Sequence, residues 1–358
     1  MSELKPNTIT KILQPPEGEE SLHPEAVHLL TEPVRVSILN QLVGKSILSA
    51  RQFSRDQLIE LFKLAAVLES AEIAPYHPLD GRLIITAFFE ASTRTRTSFE
   101  SSVLRLDGKI ISIPEANITG VAKGESLQDI GEMFNAYGDL VIMRHRRTEA
   151  LQEITQRLRL PMINAGNGSG EHPTQALADW YALVKWKASL VEHRPASEKE
   201  KINLGVLGTP GSMRAVKSFL LMASYFKEHI NKVYVVSEYS DPFGDDFEEQ
   251  FQETGLNYSV THKLEEILPE LDVIYMNSIT IAGDSYRNMG EDFKLTKNSK
   301  LKDSAVILHP LARLDELDTS LDDTPHNLYF SQAHGAVFIR QGLLVTLMDR
   351  LDKLPSQL

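Results

Sequence analysis

The sequence predicts an α/β protein made of two doubly wound, parallel-sheet domains, with the active site in the cleft between them. Three observations lead there. At 358 residues the chain is long enough for two domains of ordinary size, each with its own core. Short apolar stretches alternate with helical periodicity in both halves, the pattern of parallel strands covered on both faces. The first apolar stretch, residues 83–89, runs into Glu90-Ala91-Ser92-Thr93-Arg94-Thr95-Arg96-Thr97, a strand-to-helix junction of the kind where such sheets bind ligands.

The elements follow in order. Residues 1–40 hold Pro15-Pro16, Glu17-Gly18-Glu19-Glu20 and Pro24 with little periodicity, and read as a flexible or loosely docked N-terminal extension. Ser54-Arg55-Asp56-Gln57 opens a helix, because Leu58, Ile59, Phe62, Ala65, Ala66 and Leu68 recur at helical spacing. It ends before Pro75. A strand at 83–89 follows, then a helix at 93–106, a strand at 109–113, a loop at 114–124, a helix at 126–137 and a strand at 140–143. A helix at 174–188 ends the first domain, which spans 41–188, and an exposed, Glu-, Lys- and Arg-rich connection at 189–201 follows it. The second, 189–335, repeats the alternation: strands at 203–207, 232–236, 273–276 and 305–308, helices at 213–226 and 245–254.

Composition excludes several function classes. Hydrophobic content of 42% and charged content of 24% are those of a soluble globular protein. A net charge of −12 argues against nucleic acid, which is held by a basic face. With no cysteine, disulfides and thiolate metal sites are impossible. No secretory h-region and no apolar run of roughly 18 residues is present, so no membrane association is expected and the cytoplasm is the default location.

Positive charge is instead concentrated at particular points. Backbone N–H groups at a helix N-terminus favour anions, so the hydroxyls of Ser92, Thr93 and Thr95 with the Arg94 fork make a phosphate cradle. Capping alone needs only one hydroxyl. Arg144 closes the apolar strand at 140–143, where such sheets place their sites. His172 and Gln175 stand three apart at a helix start, so both can face one point, with Pro173 at the first helical position. Lys123 is the one cation of the glycine-containing loop 117–126. A nucleotide-binding reading is disfavoured: residues 205–211 lack the third glycine of the dinucleotide fingerprint, and there is no P-loop lysine motif.

Ser92-Thr93-Arg94-Thr95-Arg96 after a strand resembles the carbamoyl phosphate signature of the aspartate and ornithine carbamoyltransferases. His172-Pro173-Thr174-Gln175-Ala176-Leu177-Ala178-Asp179 is similar to the family's second signature and His309-Pro310-Leu311-Ala312-Arg313 to its third. The resemblance runs from about residue 45 to 350. It is closer to the aspartate branch through Phe88-Phe89-Glu90-Ala91, Val141-Ile142-Met143-Arg144-His145 and the C-terminal stretch from Thr324 to Gln341.

The resemblance implies a carbamoyltransferase of pyrimidine biosynthesis that moves the carbamoyl group of carbamoyl phosphate to the amino group of aspartate or a related acceptor. No cofactor or metal is called for, because phosphate is already a good leaving group. It implies that the first domain binds carbamoyl phosphate, that the second binds the amino acid, and that a C-terminal helix at 336–352 packs back on the first. By the same resemblance Arg144 reaches phosphate and carbonyl oxygen, His172 donates to that oxygen, and Gln175 contacts the carbamoyl amide. Pro310 and Leu311 supply backbone carbonyls to the amide of carbamoyl phosphate and to the incoming amine, and Arg214 binds the acceptor α-carboxylate. Thr119 and Lys123 enter the active site of a neighbouring copy, which implies a homotrimer with shared sites, open to higher assembly with other chains.

Two departures matter. Ala312 stands where the aspartate branch usually has a second proline. Ser278 and Thr280 stand where it carries an Arg and a Gln for the acceptor carboxylates, and a hydroxyl does not replace a bidentate guanidinium. Aspartate is therefore expected to be a poor or altered acceptor unless Arg287 or Lys123 supplies the missing charge. A non-aspartate acceptor, or a non-catalytic paralogue that keeps the cradle, is the alternative. Retention of Lys123, Arg144, His172 and Gln175 favours catalysis.

Overall fold

Two separate parallel sheets organise the chain in the computed structural model, which describes residues 24–70, 77–116, 120–277 and 293–354. The first compact unit comprises residues 26–178 and, from Gly335 onward, the C-terminal segment; the second comprises 179–334. The chain passes from one to the other at Ala178–Asp179, about ten residues before the expected boundary.

The first sheet has four strands, β1 (Leu83–Phe88), β2 (Lys109–Ile113), β3 (Leu140–His145) and β4 (Met162–Asn167), in the order β2-β1-β3-β4, all parallel. β3 and β4 are buried along their whole length, whereas edge strand β2 is largely half-buried or exposed. Around the sheet lie α2 (Arg55–Ser70), α3 (Thr93–Arg105), α4 (Leu127–Tyr137) and α5 (Ala150–Thr155). Ile85, Ala87, Val141 and Met143 pack with Leu127, Ile130 and Phe134 of α4 and with Ile154 of α5. β4 escapes sequence reading because Met-Ile-Asn-Ala-Gly-Asn carries two asparagines and a glycine, residues depleted in strands.

Residues from Ala26 onward are not a loose extension. Leu29 and Leu39, the latter in the short helix α1 (Val36–Leu39), are fully buried. The buried Glu60 of α2 accepts from Arg35 Nε at 2.7 Å, and Lys63 reaches Glu32 at 3.0 Å. Apolar burial plus a paired internal carboxylate docks this segment.

The second sheet orders β5 (Ile202–Leu207), β6 (Ile230–Val236), β7 (Tyr258–Thr261), β8 (Val273–Tyr275) and β9 (Val306–Leu308) as β7-β6-β5-β8-β9, again all parallel. Helix α6 (Pro173–Trp186) enters this unit at its C-terminal half, where Trp180 stacks on Phe226 at 4.4 Å and donates to the Phe219 carbonyl at 3.1 Å. Helices α7 (Arg214–Ala223), α8 (Asp245–Gln252) and α9 (Leu264–Ile267) complete the unit.

The last helix, α10 (Tyr329–Leu347), starts seven residues earlier than the expected 336. From Gly335 it packs on the first unit: Ser102 donates to the Val337 carbonyl at 3.1 Å and the Arg340 guanidinium covers the Phe99 ring at 4.6 Å. Among the described residues no helix is long and apolar enough to cross a membrane.

Candidate active site

Because the strands of the first sheet are parallel, their carboxyl ends share one edge. β1 meets β3 with Phe88 opposite Arg144, and β3 meets β4 with His145 opposite Asn167. The register therefore brings to one edge Ser92–Thr95 after β1, Arg144 at the end of β3, and the turn leading to His172 after β4. Lys123 ends a short helical turn, Gly120–Lys123, that follows β2, and is exposed.

Ser92 takes the N-cap of α3 in extended conformation, yet its hydroxyl makes no capping bond. The simple capping role is thus not the one this side chain plays. Thr95 is buried, Ser92 half-buried, and Thr93 and Arg94 are exposed. Glu100, two turns on, accepts from Thr86 of β1 at 2.9 Å and Ser112 of β2 at 2.6 Å, which fixes the helix start over the sheet.

Arg144 is buried and donates to Glu90 at 2.9 Å and to the Ala165 carbonyl at 3.3 Å. The return bond, Phe89 N–H to the Arg144 carbonyl at 2.9 Å, ties the chain leaving β1 to the end of β3. A guanidinium has five donors, so the Glu90 pair orients the group without exhausting it. Beside it His145 accepts the Arg147 N–H at 2.9 Å; burial, then Arg147 and Arg146, pushes its pKa down and favours the neutral ring.

His172 is buried, and its carbonyl accepts the N–H groups of Gln175 at 3.0 Å and Ala176 at 3.2 Å, so it stands at the N-terminal boundary of α6 with Pro173 first in the helix. Thr174 Oγ1 lies 3.5 Å from His172 Nδ1, and Gln175 is half-buried in the same first turn. The preceding turn is held by residues that sequence reasoning missed. Asn164 donates to Asn167 Oδ1 at 2.9 Å, and the same oxygen accepts the Glu171 N–H at 3.0 Å. The Glu171 carboxylate accepts from Ser49 Oγ at 2.6 Å and the Ala50 N–H at 2.7 Å. Gly168, at φ +48°, would place a side chain 2.8 Å from the Arg146 carbonyl, so only glycine fits there.

In the second unit, β5 pairs with β8 and β8 with β9, so their carboxyl ends also share an edge. Arg214 opens α7 after β5 and is half-buried. After β9, His309 accepts the Leu311 N–H on Nδ1 at 2.8 Å, which leaves Nε2 as the donor to Glu316 at 2.9 Å. Glu316 also accepts the Leu314 N–H at 2.9 Å. Burial works to raise this carboxyl, but the bonds from His309 and Leu314 outweigh it and hold it below the usual range. Pro310 and Leu311 are half-buried, and the Leu311–Ala312 peptide is cis with alanine in the proline's place. Arg313 forks onto Asp322, with its second nitrogen at 2.6 Å. Thr119, Ser278, Thr280 and Arg287 lie outside the described residues.

The chain matches the family model of the aspartate/ornithine carbamoyltransferase carbamoyl-P binding domain over residues 45–185 and that of the Asp/Orn binding domain over 200–347. It is 35% identical over 315 residues to the aspartate carbamoyltransferase catalytic subunit of Thermofilum pendens, covering 85% of this chain and 95% of that protein. With the corresponding subunit of Pyrobaculum islandicum it shares 36% over 313 residues, covering 86% and 99%. Among solved structures it is similar to aspartate transcarbamoylase from Trypanosoma cruzi in complex with N-(phosphonacetyl)-L-aspartic acid. The TM-score is 0.77 at 30% identity, over 88% of this chain and 98% of that one.

Proposed function

Given that the chain belongs to the aspartate/ornithine carbamoyltransferase family, we propose that it transfers the carbamoyl group of carbamoyl phosphate to the amino group of aspartate. The observation that carries this reading is the gathering, at the carboxyl edge of the first sheet, of an uncommitted N-cap hydroxyl, the Arg94 fork, the buried Arg144 and His172.

The phosphate of the substrate sits on Ser92, Thr93, Arg94 and Thr95 at the first turn of α3, where N–H groups and dipole favour an anion. Arg144 and His172 donate to the carbonyl oxygen as it gains charge, and Gln175 orients the carbamoyl amide. The aspartate nitrogen attacks the carbonyl carbon, the bond from carbon to the phosphate oxygen breaks, and the nitrogen loses a proton. In the second unit Arg214 takes the α-carboxylate, while the Pro310 and Leu311 carbonyls accept from NH groups.

Phosphate release from carbamoyl phosphate plus aspartate tests this directly. Saturation near or below about 1 mM aspartate, lost in Arg287→Ala, is the expected result and makes Arg287 the cation that replaces the missing arginine. Efficient turnover surviving both Arg287→Ala and Ser278→Ala would overturn the assignment of the acceptor loop.

We also place Thr119 and Lys123 in a neighbouring copy's site, so the active unit is a homotrimer. Mixing Lys123→Ala and Arg94→Ala chains, assayed at a carbamoyl phosphate concentration too low for either alone to turn over, should restore part of the activity, since some hybrid sites carry neither lesion. An enzyme that is active as a monomer would refute this arrangement.

A further inference from the structure

The second unit contains a continuous buried hydrogen-bond chain that begins at the signature His309 and ends far from it in sequence. The His309 ring donates through Nε2 to Glu316, and the Glu316 oxygen that receives it also takes the Leu314 N–H. The His309 backbone N–H donates to Gln332 Oε1 at 2.9 Å, and Gln332 Nε2 donates to Asp179 at 2.5 Å. The other Asp179 oxygen accepts from Tyr275 Oη at 2.9 Å. Exposure is 1% for His309 and Gln332, 5% for Glu316, and 0% for Asp179 and Tyr275.

Each group in this chain has its orientation dictated by the next. Gln332 must offer oxygen to the His309 N–H and nitrogen to the Asp179 carboxylate, so its amide has one possible flip. His309 must keep Nδ1 bare for the Leu311 N–H, so its proton sits on Nε2 and needs an acceptor. Glu316 is that acceptor, and by holding Leu314 as well it fixes both ends of the segment that carries Pro310 and Leu311. Satisfied polar networks in a low-dielectric interior are rigid, which is what a peptide carbonyl aimed at a reacting amine requires.

We propose that Glu316 is a positioning residue for the acceptor: through the His309 ring and the Leu314 N–H it sets the Pro310 and Leu311 carbonyls, with Gln332 and Asp179 fixing the histidine's backbone from the other side. This rests on the carbamoyl-transfer reading for what those carbonyls contact.

The test compares Glu316→Ala, Glu316→Asp and Glu316→Gln. Glutamine keeps an oxygen that can accept both N–H groups and should stay within about threefold of the parent. Alanine removes the acceptor and aspartate is one methylene too short to bridge ring and backbone, so both should raise the aspartate KM about tenfold or more. Carbamoyl phosphate affinity by calorimetry should change by no more than about threefold, because its phosphate is held by residues of the other unit and only its amide meets the Pro310 and Leu311 carbonyls. If alanine does not yield folded protein, the aspartate variant gives the same readout. A loss of thermal stability with unaltered aspartate KM in folded variants would overturn the proposal.

A second readout is independent of the acceptor. Selective ¹⁵N labelling of histidine should show His309 with a protonated Nε2 and bare Nδ1 in the parent, and a displaced Nε2 signal in Glu316→Ala. A parent that shows the Nδ1-protonated ring overturns the proposal even if aspartate is turned over. A parent that shows the expected ring but no turnover of aspartate refutes the acceptor reading and leaves the positioning role intact.

Discussion

Replacing Arg144 by alanine should lower kcat by about 10²- to 10³-fold, the loss seen when one preorganised donor to a developing oxyanion is removed. The guanidinium stands at the carboxyl end of a fully buried strand and is oriented by Glu90 and the Ala165 carbonyl. Its position therefore costs little reorganisation at the moment of reaction. Carbamoyl phosphate should still bind, since the α3 cradle remains, so the defect should fall on kcat more than on KM. Arg144→Lys should rescue poorly, because one ammonium cannot serve Glu90, the carbonyl and a substrate oxygen in a fixed plane. The check is steady-state kinetics beside calorimetry of carbamoyl phosphate. A variant with parent-like kcat would remove Arg144 from the chemistry.

Replacing Arg94 by alanine should weaken carbamoyl phosphate binding by about 2–4 kcal/mol, or roughly 30- to 700-fold. Arg94 is exposed in the first turn of α3, whose N-cap hydroxyl is not spent on the helix itself. Truncating it should leave the fold intact, because no buried partner is orphaned, and the defect should appear in affinity with little change in thermal stability. Raised ionic strength should weaken the parent more than the variant, since a charged contact has been lost. Unchanged affinity by calorimetry would mean that the phosphate is held elsewhere.

The two variants differ in where they act. Arg144 is buried and held on two sides, so it is suited to stabilise charge that appears in the transition state. Arg94 is exposed, and in the proposed cradle it would meet a charge that the substrate brings with it. The first difference should be read in rate and the second in affinity.

The fold class and the helix start after β1 were legible because their signals are local. The run from Phe88 to Thr97 states a strand, a turn and a helix start within ten residues, and Pro173 marks the first residue of α6. Strands with continuous apolar runs, such as β1 and β3, were equally plain. What local patterns could not supply is whatever depends on a partner distant in the chain. β4 carries polar residues because Asn164 and Asn167 brace the turn before His172, and that need exists only once residues 46–50 pack beside it. The docking of residues 26–39 depends on Glu60 accepting from Arg35, and Glu316 and Gln332 acquire meaning only when β9 and α10 bring them to His309. By itself the sequence determined the element types, the signature residues and the chemistry they suit. The tertiary structure alone decided which buried carboxylates and amides hold those residues in place, because a buried polar group must be satisfied, and the group that satisfies it is chosen by packing and not by spacing.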